Sequence, residues 1–505
     1  MNMLSRSKKS RSGWKLKAVL RGTLLRELRK RLRRLQKRFA ERGFNLEREI
    51  KRLEAENTFL RAAAPDPAAH PVSIVSISER RTLCVKAVIA GIIPFRAVPR
   101  ILGVFHSAGR MQMPIPHFTS VIHWSLRAGV AIFNEVAPLN TPWLAIIDCS
   151  INIGIRKVLV VLRVPLQALA AKQGAIGLQD CECIGLKIAT RWNGSLVKDA
   201  LDETFNKAGL PCAIIKDQGT DLNKGVELYR AAENTNKILV IDDVGHATAN
   251  ALKAEFAEKK PFINFLEIVR KGAARIRQTD LAWLLPPKIR TKGRFQGITE
   301  VAKWATKLLN LMGGAGRAKK DSELHCLRKA FCGLSQLRSF LERFCGMCKR
   351  AEEFLKLMKQ KGINQTTYAQ AKALLLRLPE NSSTRIRLLS WLTRQLAIQC
   401  QLDIGSLALL VSSDALESLF GKFKTIVQRN PKAELNRLIY IIPLLCGTHS
   451  SANIDNALRG CSHEQMLNQI EETIPTTLRQ QRHRILDAKP EQVPKTGIQE
   501  WLKAA

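Results

Sequence analysis

The 505-residue sequence predicts a mixed α/β sheet, interrupted by a long all-helical segment and preceded by a basic helical arm. Short β-rich runs gather between residues 143 and 241, with helical patterns between the later ones. Residues 297–400 carry helical periodicity almost throughout. The first 62 residues carry a coiled-coil seam.

The arm is the most charged part of the chain. Residues 1–62 hold 20 Lys and Arg against 6 acids, over a third of the net charge of +38. Leu25, Leu28, Leu32, Leu35 and Phe39 alternate at spacings of three and four, and Leu46, Ile50, Leu53, Asn57 and Leu60 resume the seam after Gly43. Asn57 stands where a buried polar residue fixes the register of a parallel pair. This predicts a homodimer or a higher homo-oligomer; the same stripe also suits an amphipathic helix packed on the chain's own body.

After the Pro/Ala-rich linker at 62–71, residues 72–135 predict compact helices at 78–90, 95–105 and about 116–128. IPFRAVPRILGVF followed by PIPHFTSVIHWSLRAG has the pattern of a helix-turn-helix, with His117, Thr119, Ser120 and His123 placed to face bases or phosphates. Many small helical cores share that pattern.

The sheet follows. Strands are predicted at 143–147, 157–164, 184–190, 212–216 and 237–241, the first three antiparallel and the later ones parallel. Residues 194–207 are helical between them, and no glycine-rich dinucleotide or phosphate loop follows any strand. Further helices are predicted at 323–360, 414–428, 435–442 (stopped by Pro443) and 463–470, and the last thirty residues read as a loosely ordered tail.

Asp148 closes the strand WLAIID, and Asp217 follows CAIIK in the turn KDQGTD. If those strands are neighbours, both carboxylates reach one rim. Glu417 lies in the first turn of an amphipathic helix, with Asp414 and Glu434 as competitors. Two Asp and one Glu crowded together repel as bare anions, and divalent cations with hard oxygen ligands relieve that repulsion. Two Mg²⁺ or Mn²⁺ ions about 3.5–4 Å apart perform phosphoryl transfer on nucleic-acid backbones. In IDDVGHATANALK, Asp243 has a histidine three residues on, His246, whereas Asp242 has none at that spacing.

The order of strands, an Asp on the first, an Asp after the fourth and a Glu on a later helix resembles the ribonuclease H-like DDE transposases. KDQGTD looks like the turn around their second aspartate. Asp243 and His246 match the C/D-x-x-H motif of groups with a helical insertion, such as hAT and Mutator-like elements, and PPKIRTKGRFQGITEVAKW looks like the basic strand-turn entering such insertions. The resemblance covers residues 140–430. It implies an α/β ribonuclease H-like catalytic core at 140–256 and 411–450, a mainly helical insertion at 257–410 and a helical tail at 451–505. Asp148, Asp217 and Glu417 would be the catalytic metal ligands. Asp243 and His246 would orient the site, unless they are a helix-capping Asp and a buried structural His.

Double-stranded DNA, both transposon ends and target, is then the expected partner, and the positive charge fits it. Lys288, Arg290, Lys292 and Arg294 alternate so that an extended segment would present all four to phosphates; a solvated hairpin fits the same run. Trp283 and Trp304 read as core residues before base-stacking ones. His325, Cys326, Cys332, Cys345 and Cys348 are zinc-type residues, but on helices this spacing also lines a core. No run of about 18 apolar residues predicts a membrane span, and scattered cysteines suit a reducing compartment, the cytoplasm and nucleoid of a bacterium. A metal-dependent structure-specific nuclease and a non-catalytic coiled-coil DNA-binding regulator are the competing functions.

Overall fold

Five apolar runs form one sheet where they were expected, in a computed structural model that describes residues 47–56, 73–109, 111–149, 156–172, 176–232, 237–289, 295–313, 316–427 and 436–474, with single positions at 32, 36, 58, 480, 482, 483 and 486. The chain divides into two compact units, residues 1–74 with 105–112, and residues 75–104 with 113–505. In the first, residues 47–56 are helical, and the two-residue strands β1 (Ser73–Ile74) and β2 (Met111–Gln112) pair in parallel. Most of the predicted seam lies outside the described residues; within them Ile50 and Leu53 are 52% and 53% exposed.

The second unit holds the sheet. Its strands are β3 (Trp143–Asp148), β4 (Lys157–Pro165), β5 (Glu182–Ala189), β6 (Ala213–Lys216) and β7 (Leu239–Asp242), in the order β5-β4-β3-β6-β7, and the short helix α4 (Leu166–Lys172) follows β4. β3, β4 and β5 pair antiparallel, and β3, β6 and β7 pair in parallel, as the sequence pattern predicted. Nearly every β3 and β4 residue is buried, because a sheet covered on both faces needs apolar residues at odd and even positions alike. On one face Trp143, Ala145, Ile147 and Ile214 pack with Val197, Leu201 and Phe205 of α5 (Gly194–Ala208) and with Leu222, Val226 and Tyr229 of α6 (Thr220–Ala232). By alternation, Leu144, Ile146 and Asp148 belong to the other face.

The helices of 72–135 are α1 (Ile77–Gly91), α2 (Ala97–Ser107) and α3 (Phe118–Asn134). Ser76 and Glu79 close a capping box on α1. α3 is longer than predicted and packs on α1, on two 3₁₀ turns (Arg437–Ile441 and Pro443–Leu445), on α15 (Ser451–Gly460) and on α16 (His463–Thr473). The predicted helix at 435–442 is thus a 3₁₀ turn, and Pro443 opens a second one, since proline suits the first turn of a helix. Gly129 permits the close approach: a Cβ there would lie 1.8 Å from the Tyr440 carbonyl oxygen. Gly129→Ala is expected to lower unfolding free energy by about 3 kcal/mol in a urea titration; an unchanged midpoint would refute this packing.

Between β7 and the return to the sheet lie α7 (Val244–Phe256), α8 (Lys260–Ile276), α9 (Ile298–Met312), α10 (Glu323–Ala330), α11 (Arg338–Lys361), α12 (Gln365–Leu376) and α13 (Ser383–Gln401). Phe256, Phe262, Phe265, Phe295, Phe340 and Phe344 form an aromatic core among them. α13 packs along α7 and touches β7, and Trp391 of α13 donates its Nε1–H to the Asp242 carbonyl at 3.1 Å. α14 (Asp414–Val427) then packs against β3 through a buried stripe that includes Leu416, Leu419, Phe420 and Phe423. Among the described residues, no helix is long and apolar enough to cross a membrane.

Candidate functional site at the sheet rim

The register of β3 and β6 decides the first question. Ile147 pairs with Lys216, so the next residues, Asp148 and Asp217, leave the carboxyl ends of adjacent parallel strands side by side. Loops at that end of an open α/β sheet form a crevice. Both residues are half-buried. Burial, followed by the charges of Asp148 and Asp217, pushes the neighbouring Cys149 thiol well up. Asp217 Oδ1 accepts from Gly219 N–H at 2.8 Å, which closes the turn before α6.

β7 ends on two acids with different environments. Asp242 accepts from the buried Lys216 Nζ at 3.0 Å and lies 3.6 Å from Arg394 of α13. Its charge is neutralised by those partners. Asp243 is 3% exposed and caps α7, accepting from His246 N–H at 2.7 Å. Its Oδ1 lies 3.0 Å from His246 Nδ1, and its Oδ2 accepts from Ser413 N–H at 2.9 Å and Ser413 Oγ–H at 3.1 Å. Burial works to raise Asp243, but these hydrogen bonds and the His246 charge outweigh it and hold the carboxyl below its usual range. Burial works to lower His246, but Asp243, then Asp217 and Asp148, outweigh it and raise the imidazole. His246 Nε2 is 3.9 Å from Asp217 Oδ2 and 2.8 Å from Gln296 Nε2.

Glu417 lies in the first turn of α14 and is exposed. Asp414, its competitor, is paired with Lys359 of α11; Glu434 lies outside the described residues. The structure therefore brings Asp148, Asp217 and His246 to one rim and ties Asp243 to the residue before α14. Among the described residues, no group of three or more His, Cys, Asp or Glu side chains is placed to hold a metal ion. Asp148 and Asp217 nevertheless supply the hard oxygen donors that a Mg²⁺ or Mn²⁺ ion requires.

The predicted DNA contacts divide. His117 and Thr119 are exposed at the start of α3 and bonded to each other, Nδ1 to Oγ1 at 2.8 Å. Ser120 is half-buried. His123 packs its ring 4.9 Å from that of His463, and burial, helped by Arg437, lowers its pKa. Lys288 is exposed, whereas Arg290, Lys292 and Arg294 lie outside the described residues. Trp283 is 74% exposed, contrary to its reading as core, because it sits in a one-turn 3₁₀ helix that buries no residue. Trp304 does pack, against Phe331, and donates to the Leu284 carbonyl at 3.0 Å. Cys348 is buried in α11, while Cys326 and Cys332 are exposed.

Sequence reading missed Gln296, Ser413 and Lys216 as members of the rim. Gln296 and Lys216 fall inside the quoted runs and Ser413 stands where it could cap the helix at 414–428, but their contacts span 50, 170 and 26 residues along the chain, and nothing local shows what they meet.

No protein-family profile matches the sequence, and no curated protein is detectably similar to it. Among solved structures the chain is similar to the Drosophila P element transposase strand transfer complex, at 12% identity over 78% of this chain and 98% of that chain, with a TM-score of 0.37.

Proposed function

We propose that the chain is a DNA transposase of the ribonuclease H-like DDE type, cleaving transposon ends and joining them to target DNA. The observation that supports it best is the in-register placement of Asp148 and Asp217 at the ends of β3 and β6, with α14, whose first turn carries Glu417, packed against β3. In this reading Asp148, Asp217 and Glu417 hold two Mg²⁺ or Mn²⁺ ions. Such ions activate a water or a 3′-hydroxyl and stabilise the leaving oxygen. The chain's own residues do the positioning: Gly219 fixes the Asp217 turn, and Asp243 ties the start of α14 to the end of β7. Lys288, Arg290, Lys292, Arg294, His117, Thr119, Ser120 and His123 are the proposed DNA contacts.

The test uses the full chain, Mg²⁺ and linear DNA carrying the sequences that flank its reading frame, with a target plasmid added. Cleavage with joining is the expected result. Cleavage without joining would make it a structure-specific nuclease; DNA binding with neither reaction, in Mg²⁺ and in Mn²⁺, would make it a binding protein only.

Residues 1–62 are proposed to pair protomers, supported by the exposure of the seam residues Ile50 and Leu53. Removing residues 1–62 is expected to reduce the mass in light scattering to that of one chain. An unchanged mass would place the interface elsewhere.

A further inference from the structure

On the reading that the chain acts on DNA, we propose that Arg437, His123 and His463 form a phosphate-binding cluster that grips the backbone of the duplex beside the start of α3, and that α3 reads no bases.

The packing of α3 limits how it can meet DNA. A recognition helix, about 10–12 Å across, fills a major groove about 12 Å wide and keeps one face open to the bases. From Val121 to Phe133 no residue of α3 is exposed. Val121, Ser125, Leu126 and Ala128 are buried, and α1, both 3₁₀ turns, α15 and α16 close around the helix. Exposure is confined to its ends, to His117 and Thr119 at the start and Asn134 at the finish. No groove can take up a helix enclosed in this way.

What α3 does offer is an edge. His123 lies one turn beyond Thr119 and Ser120, on their side of the helix, and is half-buried. Its ring meets that of His463, the first residue of α16, with centroids 4.9 Å apart. Arg437 opens the 3₁₀ turn packed against α3, and its charge acts on His123. Arg127, one turn on from His123, donates to the Cys461 carbonyl at 2.7 Å and to the Leu458 carbonyl. It thereby holds the segment that brings His463 to His123.

The charges in this cluster have one sign. Those of Arg437 and His463 both resist protonation of His123, and among the described residues no carboxylate pairs with Arg437 or with either histidine. A guanidinium beside two imidazoles, with no anion to balance it, is a cost to the fold and fits an anion from outside. Arg437 supplies a fixed charge and a planar fork of donors matched to phosphate oxygens, and the imidazoles add ring N–H donors. The net charge of +38 draws a polyanion to the surface, and backbone contacts of this kind hold a duplex in place without reading its sequence.

The experiment measures binding of the full-length protein, by fluorescence anisotropy across a salt series at neutral pH, to two labelled duplexes. One carries the sequences that flank the reading frame; the other is a shuffled duplex of equal length. Arg437→Gln is expected to weaken binding to both by about tenfold and to reduce the slope of log K against log salt by about 0.9, the share of one phosphate contact. Because the same change relieves repulsion within the cluster, its melting temperature is expected to hold or rise. His463→Gln should weaken both duplexes by a smaller factor. Lys271→Gln removes an equal charge from an exposed position on α8 and should bind as the wild type does. Wild-type affinity and slope in Arg437→Gln, or an equal loss in Lys271→Gln, overturns the cluster. A loss confined to the flanking sequence makes these residues base readers and overturns the backbone assignment, and a fall in melting temperature together with affinity makes Arg437 a residue of the fold. If the wild type binds neither duplex, the DNA reading itself fails, which is distinct from wild-type binding that Arg437→Gln leaves untouched.

Discussion

Asp148→Asn is expected to reduce Mg²⁺-dependent cleavage of end-bearing DNA by on the order of 10³-fold, and Asp217→Asn by a similar factor, with both proteins folded. Metal stabilisation of transition-state charge amounts to several kcal/mol, and about 4 kcal/mol corresponds to that factor. Neither change should unfold the sheet. Asparagine has nearly the volume of aspartate, and at 217 its amide oxygen can still accept the Gly219 N–H that closes the turn. Asp242→Asn is the informative control, one strand over. It removes the negative charge that balances the buried Lys216, so its main effect should be on stability. Cleavage by Asp148→Asn at the wild-type rate, in protein whose melting curve is intact, would remove the two-carboxylate reading.

The rim was partly legible because each half of it has a local signature. WLAIID and CAIIK are apolar runs that end in an acid, and their strand character follows from composition. Their adjacency required the fold: β3 and β6 are separated in sequence by two strands and two α-helices, and only the sheet order places them together. The choice between Asp242 and Asp243 rests on the histidine spacing; in the structure Asp242 is paired with Lys216 and Arg394, and Asp243 with His246. Gln296 lies inside the quoted run PPKIRTKGRFQGITEVAKW, but its contact is not legible there because its partner is 50 residues away. The 3₁₀ turn Arg437–Ile441 reads as an α-helix in the sequence because a short apolar stretch has the same composition in either kind of helix. Trp283 was misread for a general reason: hydrophobicity predicts burial on average, whereas a one-turn element has too few neighbours to cover an indole.

Asp243→Ala should be the most destabilising substitution at the rim, by about 3–5 kcal/mol, the range for breaking a buried, hydrogen-bonded charge pair. The alanine leaves Ser413 N–H without its acceptor in a residue that is 6% exposed, uncaps α7 at His246 N–H and strands the His246 ring beside Asp217. Asp243→Asn should cost less. One amide oxygen can still cap α7, although the amide group then turns a donor toward the Ser413 donors. The pH dependence has a definite sign. Because the folded-state pKa of Asp243 lies below its unfolded value, ordinarily about 3.9, this carboxylate contributes stability above that value and loses it as pH falls through the lowered pKa. Wild type and Asp243→Asn should therefore converge in stability at acid pH and separate as pH rises above about 4. A denaturant series across that range checks both magnitude and sign. A difference of less than about 1 kcal/mol for Asp243→Ala at neutral pH would mean that the start of α14 is held by something else, such as the Val244 N–H bond to the Val411 carbonyl at 2.9 Å. In that case Glu417 would owe its position to the backbone pairing of Val244 with Val411, and the histidine motif would be a capping device with no part in the chemistry.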